Sequence, residues 1–313
     1  MGDVVHTLPA AMDLMRAHPQ ARIDWVVEPA FASLVRLCPA VDRVIEMDLR
    51  RWRSAPWAAS TRAAWRAFQA DLQQEPYDWV IDLQGLTKSA LVSRLARLTP
   101  AGMRIAMANR TEGSSYEAPT RWVADRLIEL PPHIHAVDRA RVVCALALGY
   151  EVPDEFHAGM PLIVQPTADQ QVVCVHGTSR EDKLWPEAHW LALGRRLLQC
   201  RQVPVFVHGN AAEQARSQRL SDALPGSQLW PALKLNELAV RMAAAQGVIG
   251  VDSGVSHIAV ALGLPHVQIY NFDTAWRTGP QHAKQQVSVF AKPCPEVDSV
   301  WQAWLQVKQG GAS

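Results

Sequence analysis

One pattern runs twice along this chain and constrains it most. Short runs rich in β-branched and aromatic residues alternate with stretches of helical spacing, stop at a proline-containing segment, and then begin again. The first series of strand-like runs is Ile23-Asp24-Trp25-Val26-Val27, Arg43-Val44-Ile45, Trp79-Val80-Ile81 and Arg104-Ile105-Ala106. Helical spacing falls at Leu8, Met12 and Met15, and over residues 86–98 with Ala90, Leu91 and Leu95 apolar. Residues 151–171 carry Pro153, Pro161 and Pro166 with little periodicity, which marks an inter-domain linker. The second series is Val172-Val173-Cys174-Val175, Val203-Pro204-Val205-Phe206-Val207, Val248-Ile249-Gly250-Val251 and His266-Val267-Gln268-Ile269-Tyr270, with helices over 185–200 and 211–223. Strands that alternate with helices form parallel sheets covered on both faces, and such sheets bind ligands beyond the carboxyl ends of their strands. The expected architecture is α/β with two Rossmann-like α/β/α domains, residues 1–155 and 156–313, facing across a cleft. A length of 313 residues suits two domains of about 150 each.

One element breaks the pattern. The chain opens on Met1-Gly2-Asp3 and passes directly into a helix, although a β/α half should begin with its central strand. The expectation is that about ten residues, a strand and its turn, are missing from this end.

Thirty-one Lys and Arg against thirty Asp and Glu leave a net charge of +1, so no global basic field attracts nucleic acid. With 49% hydrophobic and 19% charged residues the chain can bury enough apolar surface to fold. Five scattered cysteines, Cys38, Cys144, Cys174, Cys200 and Cys294, form no C-x-x-C and suggest a reducing cytosol rather than a disulfide framework or zinc site. No run long enough to span a membrane and no signal peptide is found, and no repeat of solenoid length. The expected location is cytoplasmic.

Neither G-x-G-x-x-G nor G-x-x-x-x-G-K-[ST] occurs, so dehydrogenase and P-loop readings lose their main support. Instead Val251-Asp252-Ser253-Gly254-Val255-Ser256-His257 follows a strand and precedes helical residues 258–262. Ser253 and Gly254 there can offer backbone amides to a phosphate, or Asp252 or Ser253 can simply cap the helix. After the first strand of the second half comes His176-Gly177-Thr178-Ser179-Arg180-Glu181-Asp182-Lys183. Lys183 just before a helix start is disfavoured by the helix dipole, which an anionic ligand would explain. Glu213, after a third strand, can accept from a ribose or serve as an ordinary first-turn acid. Asp3 can be a general base or an N-cap.

Residues 43–66 hold six arginines (Arg43, Arg50, Arg51, Arg53, Arg62, Arg66) against Glu46 and Asp48, with Trp52, Trp57 and Trp65 interleaved. This reads as a docking surface for anionic groups near an apolar boundary, or as the solvated basic face of an amphipathic helix. No D-x-D pair and no helical histidine pair suited to a metal is present, which points to a metal-free mechanism.

These residues together resemble a known family, the lipopolysaccharide heptosyltransferases of glycosyltransferase family 9. The resemblance rests on Met1-Gly2-Asp3-Val4-Val5-His6-Thr7-Leu8-Pro9-Ala10, Asp24-Trp25-Val26-Val27-Glu28, Arg50-Arg51-Trp52-Arg53, Tyr77-Asp78-Trp79-Val80-Ile81-Asp82-Leu83-Gln84-Gly85-Leu86 with Lys88-Ser89-Ala90, Arg180-Glu181-Asp182-Lys183 with Trp185-Pro186-Glu187, and Val251-Asp252-Ser253-Gly254 with Ser256-His257. It implies a GT-B fold and inverting transfer of L-glycero-D-manno-heptose from ADP-heptose to the 3-deoxy-D-manno-octulosonic acid (Kdo) of Kdo-lipid A, without cofactor or metal. It also implies work at the cytoplasmic face of the inner membrane as a peripheral protein. By the same resemblance Asp3 is the general base and Lys183 the donor-phosphate ligand. Thr178, Ser179, Glu213, Asp252, Ser253, Gly254 and His257 line the donor pocket, while Arg50, Arg51, Arg53, Lys88 and Arg110 lie on the acceptor side. The chain departs from the family in lacking the opening strand and in reading Tyr270-Asn271-Phe272-Asp273 where a Gly-Pro-Thr loop is usual. Rival readings are another family 9 transferase, a two-domain protein that binds an anionic sugar without chemistry, and an oxidoreductase that lacks its fingerprint.

Overall fold

The computed structural model describes residues 1–165 and 170–310, and the chain divides into two compact units. One unit is His6–His157; the other joins Met1–Val5 to the chain from Ala158 onward. Between them in sequence the described residues from 149 to 165 form no helix or strand, and the stretch 166–169, with Pro166, lies outside the described residues.

The first half runs α1 (Gly2–Ala17), β1 (Asp24–Val27), α2 (Pro29–Val35), β2 (Arg43–Glu46), α3 (Leu49–Ser54), α4 (Ala59–Leu72), β3 (Tyr77–Asp82), α5 (Thr87–Leu95), β4 (Leu98–Met107), α6 (Pro119–Val123), β5 (Arg126–Ile128) and α7 (Ala136–Leu148). Strands β1 and β2 pair in parallel, and β3, β4 and β5 make a second parallel sheet. Two apolar clusters fill this unit, one around Ile45, Trp52, Phe68 and Leu72, the other around Ile105, Met107, Ile128 and Val143. Helix α1 is fastened by a buried ion pair, with Arg141 Nε of α7 2.6 Å from Asp13 Oδ2. Removing one partner of such a pair strands a buried charge, at a cost of about 3–5 kcal/mol.

The second half runs β6 (Gln171–Val175), α8 (Glu187–Gln199), β7 (Val203–Phe206), α9 (Ala211–Asp222), β8 (Gln228–Leu229), α10 (Leu235–Ala243), β9 (Gly247–Val251), α11 (Gly254–Ala261), β10 (His266–Tyr270), α12 (Ala275–Thr278), β11 (Gln286–Phe290) and α13 (Val297–Gly310). All pairings are parallel, in the order β11-β10-β9-β6-β7-β8. This is the doubly wound Rossmann order: the chain moves outward from β6 to β8, crosses back to β9 and moves outward again. Every residue of β6, β9 and β10 is buried, as covering by helices on both faces requires. The helices bury one stripe each, Trp190, Leu193 and Leu197 on α8 and Val300, Trp304 and Val307 on α13. Each buried Trp removes about 150–250 Å² from water.

At the switch between β6 and β9, Val175 pairs with Gly250, so both strands end side by side. The loops that follow them therefore meet. A side chain at Gly250 would collide with Ser256 Oγ, which sits beneath the strand end and donates to Val251 O at 2.6 Å.

Several expectations need correction. Leu98 begins β4 instead of ending a helix, because α5 stops at Leu95 and Pro100 disfavours helical backbone at the residue before it. In the basic segment Arg43 is half-buried and already engaged; it bonds to Asp24, Asp71 and Tyr77, and these partners raise its pKa, with the Asp24 bond leading. Trp52 packs edge-on against Trp65 inside the core, which leaves Trp57, 85% exposed, as the one tryptophan of that segment standing in solvent.

Candidate donor site and acceptor-side residues

Of the residues expected to line a donor pocket, Thr178, Lys183, Asp252, Ser253, Gly254 and His257 lie behind β6 and β9 at the switch. Thr178 Oγ1 donates to Asp252 O at 3.1 Å and ties the two loops together. Ser253 is the N-cap of α11, its Oγ accepting from the Ser256 amide at 3.4 Å while its carbonyl takes the His257 amide at 3.2 Å. The first amides of a helix have no partner within it, so those of Gly254 and Val255 are placed to bind an anion, which the helix dipole also favours. The serine hydroxyl is thus a cap, and what the helix start leaves open to an anion is its backbone amides.

Asp252 does not cap. Its Oδ2 lies 2.5 Å from Lys183 Nζ, and its Oδ1 lies 3.5 Å from His257 Nε2. Burial pushes this carboxyl upward, but the hydrogen bonds from His257 and Lys183 outweigh it and hold the pKa at about 2. A depressed carboxyl stabilises the fold above its unfolded value of about 3.9, and that contribution is lost as the pH falls from there through about 2.

Glu213 bridges two loops. Its Oε2 accepts from the Gly209 amide at 2.7 Å, and a Cβ at Gly177 would lie 2.5 Å from its Cδ. Any side chain at 177 would push this carboxylate off the Gly209 amide. His176 is turned into the core: it is buried against Ser217 Oγ at 2.6 Å, and desolvation lowers its pKa to about 4. Ser179 is exposed and makes none of these contacts.

Asp3 lies exposed in the first turn of α1. A Cβ built on Gly254 would come within 2.9 Å of Met1 Cβ, so Met1, the residue just before α1, rests against the N-terminus of α11, within one unit.

In the other unit Lys88 and Arg50 meet on a residue that spacing did not single out. Glu28, directly after β1, accepts from Lys88 Nζ at 3.1 Å and lies 3.5 Å from Arg50 Nε. Its position at a strand's carboxyl end was the available signal. Arg51 and Arg53 stand exposed on α3, and Arg110 Nε donates to Ser114 O at 3.1 Å in its own loop; the structure does not bring these three to Glu28. An open groove beside α3 and α4 has Leu49, Trp52, Pro56 and Trp65 as its apolar lining, with Arg53, Arg62 and Arg66 among its walls. None of Arg51, Arg53, Arg62 and Arg66 pairs with a carboxylate among the described residues. No cluster of three or more His, Cys, Asp or Glu fit for a metal occurs among the described residues.

A profile described as Glycosyltransferase family 9 (heptosyltransferase) matches residues 65–300. The chain belongs to glycosyltransferase family 9. This family 9 glycosyltransferase is 38% identical to lipopolysaccharide heptosyltransferase 1 of Escherichia coli (strain K12) over 276 residues, 86% of this chain and 84% of the relative. To the Pseudomonas aeruginosa protein of the same name it is 36% identical over 306 residues, 94% and 82% of the two chains. Among solved structures it resembles E. coli heptosyltransferase WaaC with ADP, at a TM-score of 0.86 and 33% identity over 99% of this chain and 97% of that one. The complex of WaaC with ADP-2-deoxy-2-fluoro heptose gives 0.80 and 34%, covering 99% and 95%. The expected GT-B fold built of two Rossmann-like units is therefore correct, and the oxidoreductase reading falls.

Proposed function

We propose that this glycosyltransferase transfers L-glycero-D-manno-heptose from ADP-heptose to Kdo of Kdo-lipid A, with inversion at the anomeric carbon. The observation that carries the donor half is the Lys183–Asp252–His257 cluster beside the amides of Gly254 and Val255. One ammonium and two amides at a helix N-terminus suit a departing diphosphate, and relatives of this chain are solved with ADP and an ADP-heptose analogue. Glu213 supplies a carboxylate to accept from ribose hydroxyls. Asp3 takes the proton from a Kdo hydroxyl as its oxygen attacks the anomeric carbon; the bond to the diphosphate breaks on the opposite side, and ADP leaves with that electron pair. Incubation with ADP-heptose and Kdo-lipid A, with ADP release followed, tests this. Release must depend on the acceptor, and equal release with and without it rejects the transfer.

The acceptor side is read from charge. Kdo-lipid A presents carboxylate and phosphate groups at a membrane surface, and the guanidinium groups of Arg51, Arg53, Arg62 and Arg66, none paired with a carboxylate among the described residues, match such oxyanions. No helix among the described residues is long and apolar enough to cross a membrane, so contact with the lipid is peripheral in this reading. Changing Arg50, Arg51 and Arg53 together to Gln is expected to raise the acceptor KM about tenfold or more and to flatten its salt dependence, with donor KM unchanged. Acceptor titrations at two salt concentrations measure this, and KM values equal to the parent's would remove these arginines from the acceptor site.

A further inference from the structure

The short turn that carries Lys183, Glu181–Lys183, is gripped by residues far away in sequence. Asn271, the first residue after β10, is buried and donates through Nδ2 to Asp182 O and to Leu184 O, at 3.0 Å each. Those two carbonyls bracket Lys183. Phe272 adds a second hold, its ring 5.5 Å from the Arg180 guanidinium, and Arg180 in turn pairs with Asp182. Beyond the turn Trp185 is fully buried and donates through Nε1 to Pro295 O at 2.8 Å. The turn is pinned before, within and after the lysine.

The orientation of the Asn271 amide is dictated by this task. A flipped amide would set its oxygen against two carbonyl oxygens, whereas the observed one spends both donor hydrogens on the turn and leaves Oδ1 buried without a partner. A glycine or alanine has no donor for these carbonyls.

We propose that Asn271, assisted by Phe272, is a positioning residue that fixes the 180–184 turn so that the Lys183 ammonium is presented to the donor diphosphate. This deepens the reading of Lys183 as the diphosphate ligand and rests on it. Asn271 touches no reacting atom; it acts through the backbone on either side of the lysine.

The test uses Asn271→Ala and Asn271→Leu, the second keeping most of the side-chain volume while removing the donors, each in the parent and in a Lys183→Ala background. ADP affinity is read by calorimetry, and kcat and KM for donor and acceptor by steady-state assay. The third readout is the rate at which an amine-directed acylating reagent labels Lys183 in the ligand-free protein, located by peptide mass spectrometry. Loss of two hydrogen bonds to the turn predicts about tenfold weaker ADP binding and a lower kcat, with acceptor KM constant. In the Lys183→Ala background the same substitutions should cost ADP affinity nothing further, and Lys183 should label faster in both single variants. Phe272→Leu should weaken ADP binding about two- to threefold. An equal loss in the Lys183→Ala background, or an unchanged labelling rate, overturns the proposal. Should Lys183→Ala itself leave ADP affinity intact, the diphosphate reading fails; a faster labelling rate then still supports Asn271 as the anchor of the turn, and an unchanged rate rejects it.

Discussion

Asp3→Asn is expected to lower kcat by about 10²–10⁴-fold, the usual contribution of a positioned base, while ADP affinity stays within a factor of about two. The amide keeps the shape of the carboxylate and can still stand near helix amides, but it cannot take a proton. The contrast with a merely structural acid is therefore sharp. A carboxylate in the first turn of α1 gains only about 0.3–1 kcal/mol from the helix dipole, so a structural role predicts a small fall in Tm and a kcat close to the parent's. Steady-state kinetics beside thermal melts of Asp3→Asn and Asp3→Ala separate the two. A kcat within a few-fold of the parent in both variants would leave Asp3 as a helix-start residue.

Lys183→Ala is expected to act on binding and turnover together, raising donor KM and lowering kcat by about 10²–10³-fold, because the ammonium meets the diphosphate both before and during its departure. The ligand-free protein adds a structural penalty. Without Lys183, the buried Asp252 loses its ammonium partner and keeps the longer contact to His257 Nε2, and an under-satisfied buried acceptor costs about 1–3 kcal/mol or more. Lys183→Arg preserves a cation for Asp252 and so keeps Tm near the parent's, yet its wider, planar head does not reproduce a point charge. ADP calorimetry on both variants, with melts, distinguishes a lost ligand from a loosened fold. Unchanged donor affinity and rate in Lys183→Ala would remove this residue from the site.

The strands that carry the donor loops were legible because parallel strands buried on both faces read as continuous apolar runs. Val172-Val173-Cys174-Val175 and Val248-Ile249-Gly250-Val251 are of this kind, and the loops behind them held Thr178, Lys183, Asp252 and Ser253. Strands β5, β8 and β11 leave little mark in the sequence, for a physical reason. Arg126–Ile128 and Gln228–Leu229 are too short to show a period, and Gln286–Phe290 lies at the sheet edge, where burial is partial and polar residues are allowed. Glu28 and Asn271 lay at strand ends in plain view, but their roles depend on Lys88 and on the Lys183 turn, which only the fold brings to them. Local spacing also could not tell that Arg43 turns inward to Asp24 while Arg51 and Arg53 remain outside, since all lie in one basic stretch of sequence.

The strand order of the second unit also sets a problem for the growing chain. Strand β6 is central, flanked by β7 on one side and by β9 on the other, and β9 follows only after α8, β7, α9, β8 and α10. During synthesis β6, β7 and β8 can therefore pair while the opposite edge of β6 stays open, a run of Val and Cys with unsatisfied amides and carbonyls. Open apolar edges of this kind recruit other strands, and long-range parallel pairing closes slowly. The candidate donor site shares this timetable, because α11, whose first amides are proposed to take the phosphate, follows immediately on the strand that covers the open edge of β6. A nascent chain halted before Gly247 leaves the β6 edge open and lacks α11; once β9 pairs with β6 the open apolar edge passes to β9 and then to β10, so the hazard moves outward strand by strand as the sheet is completed.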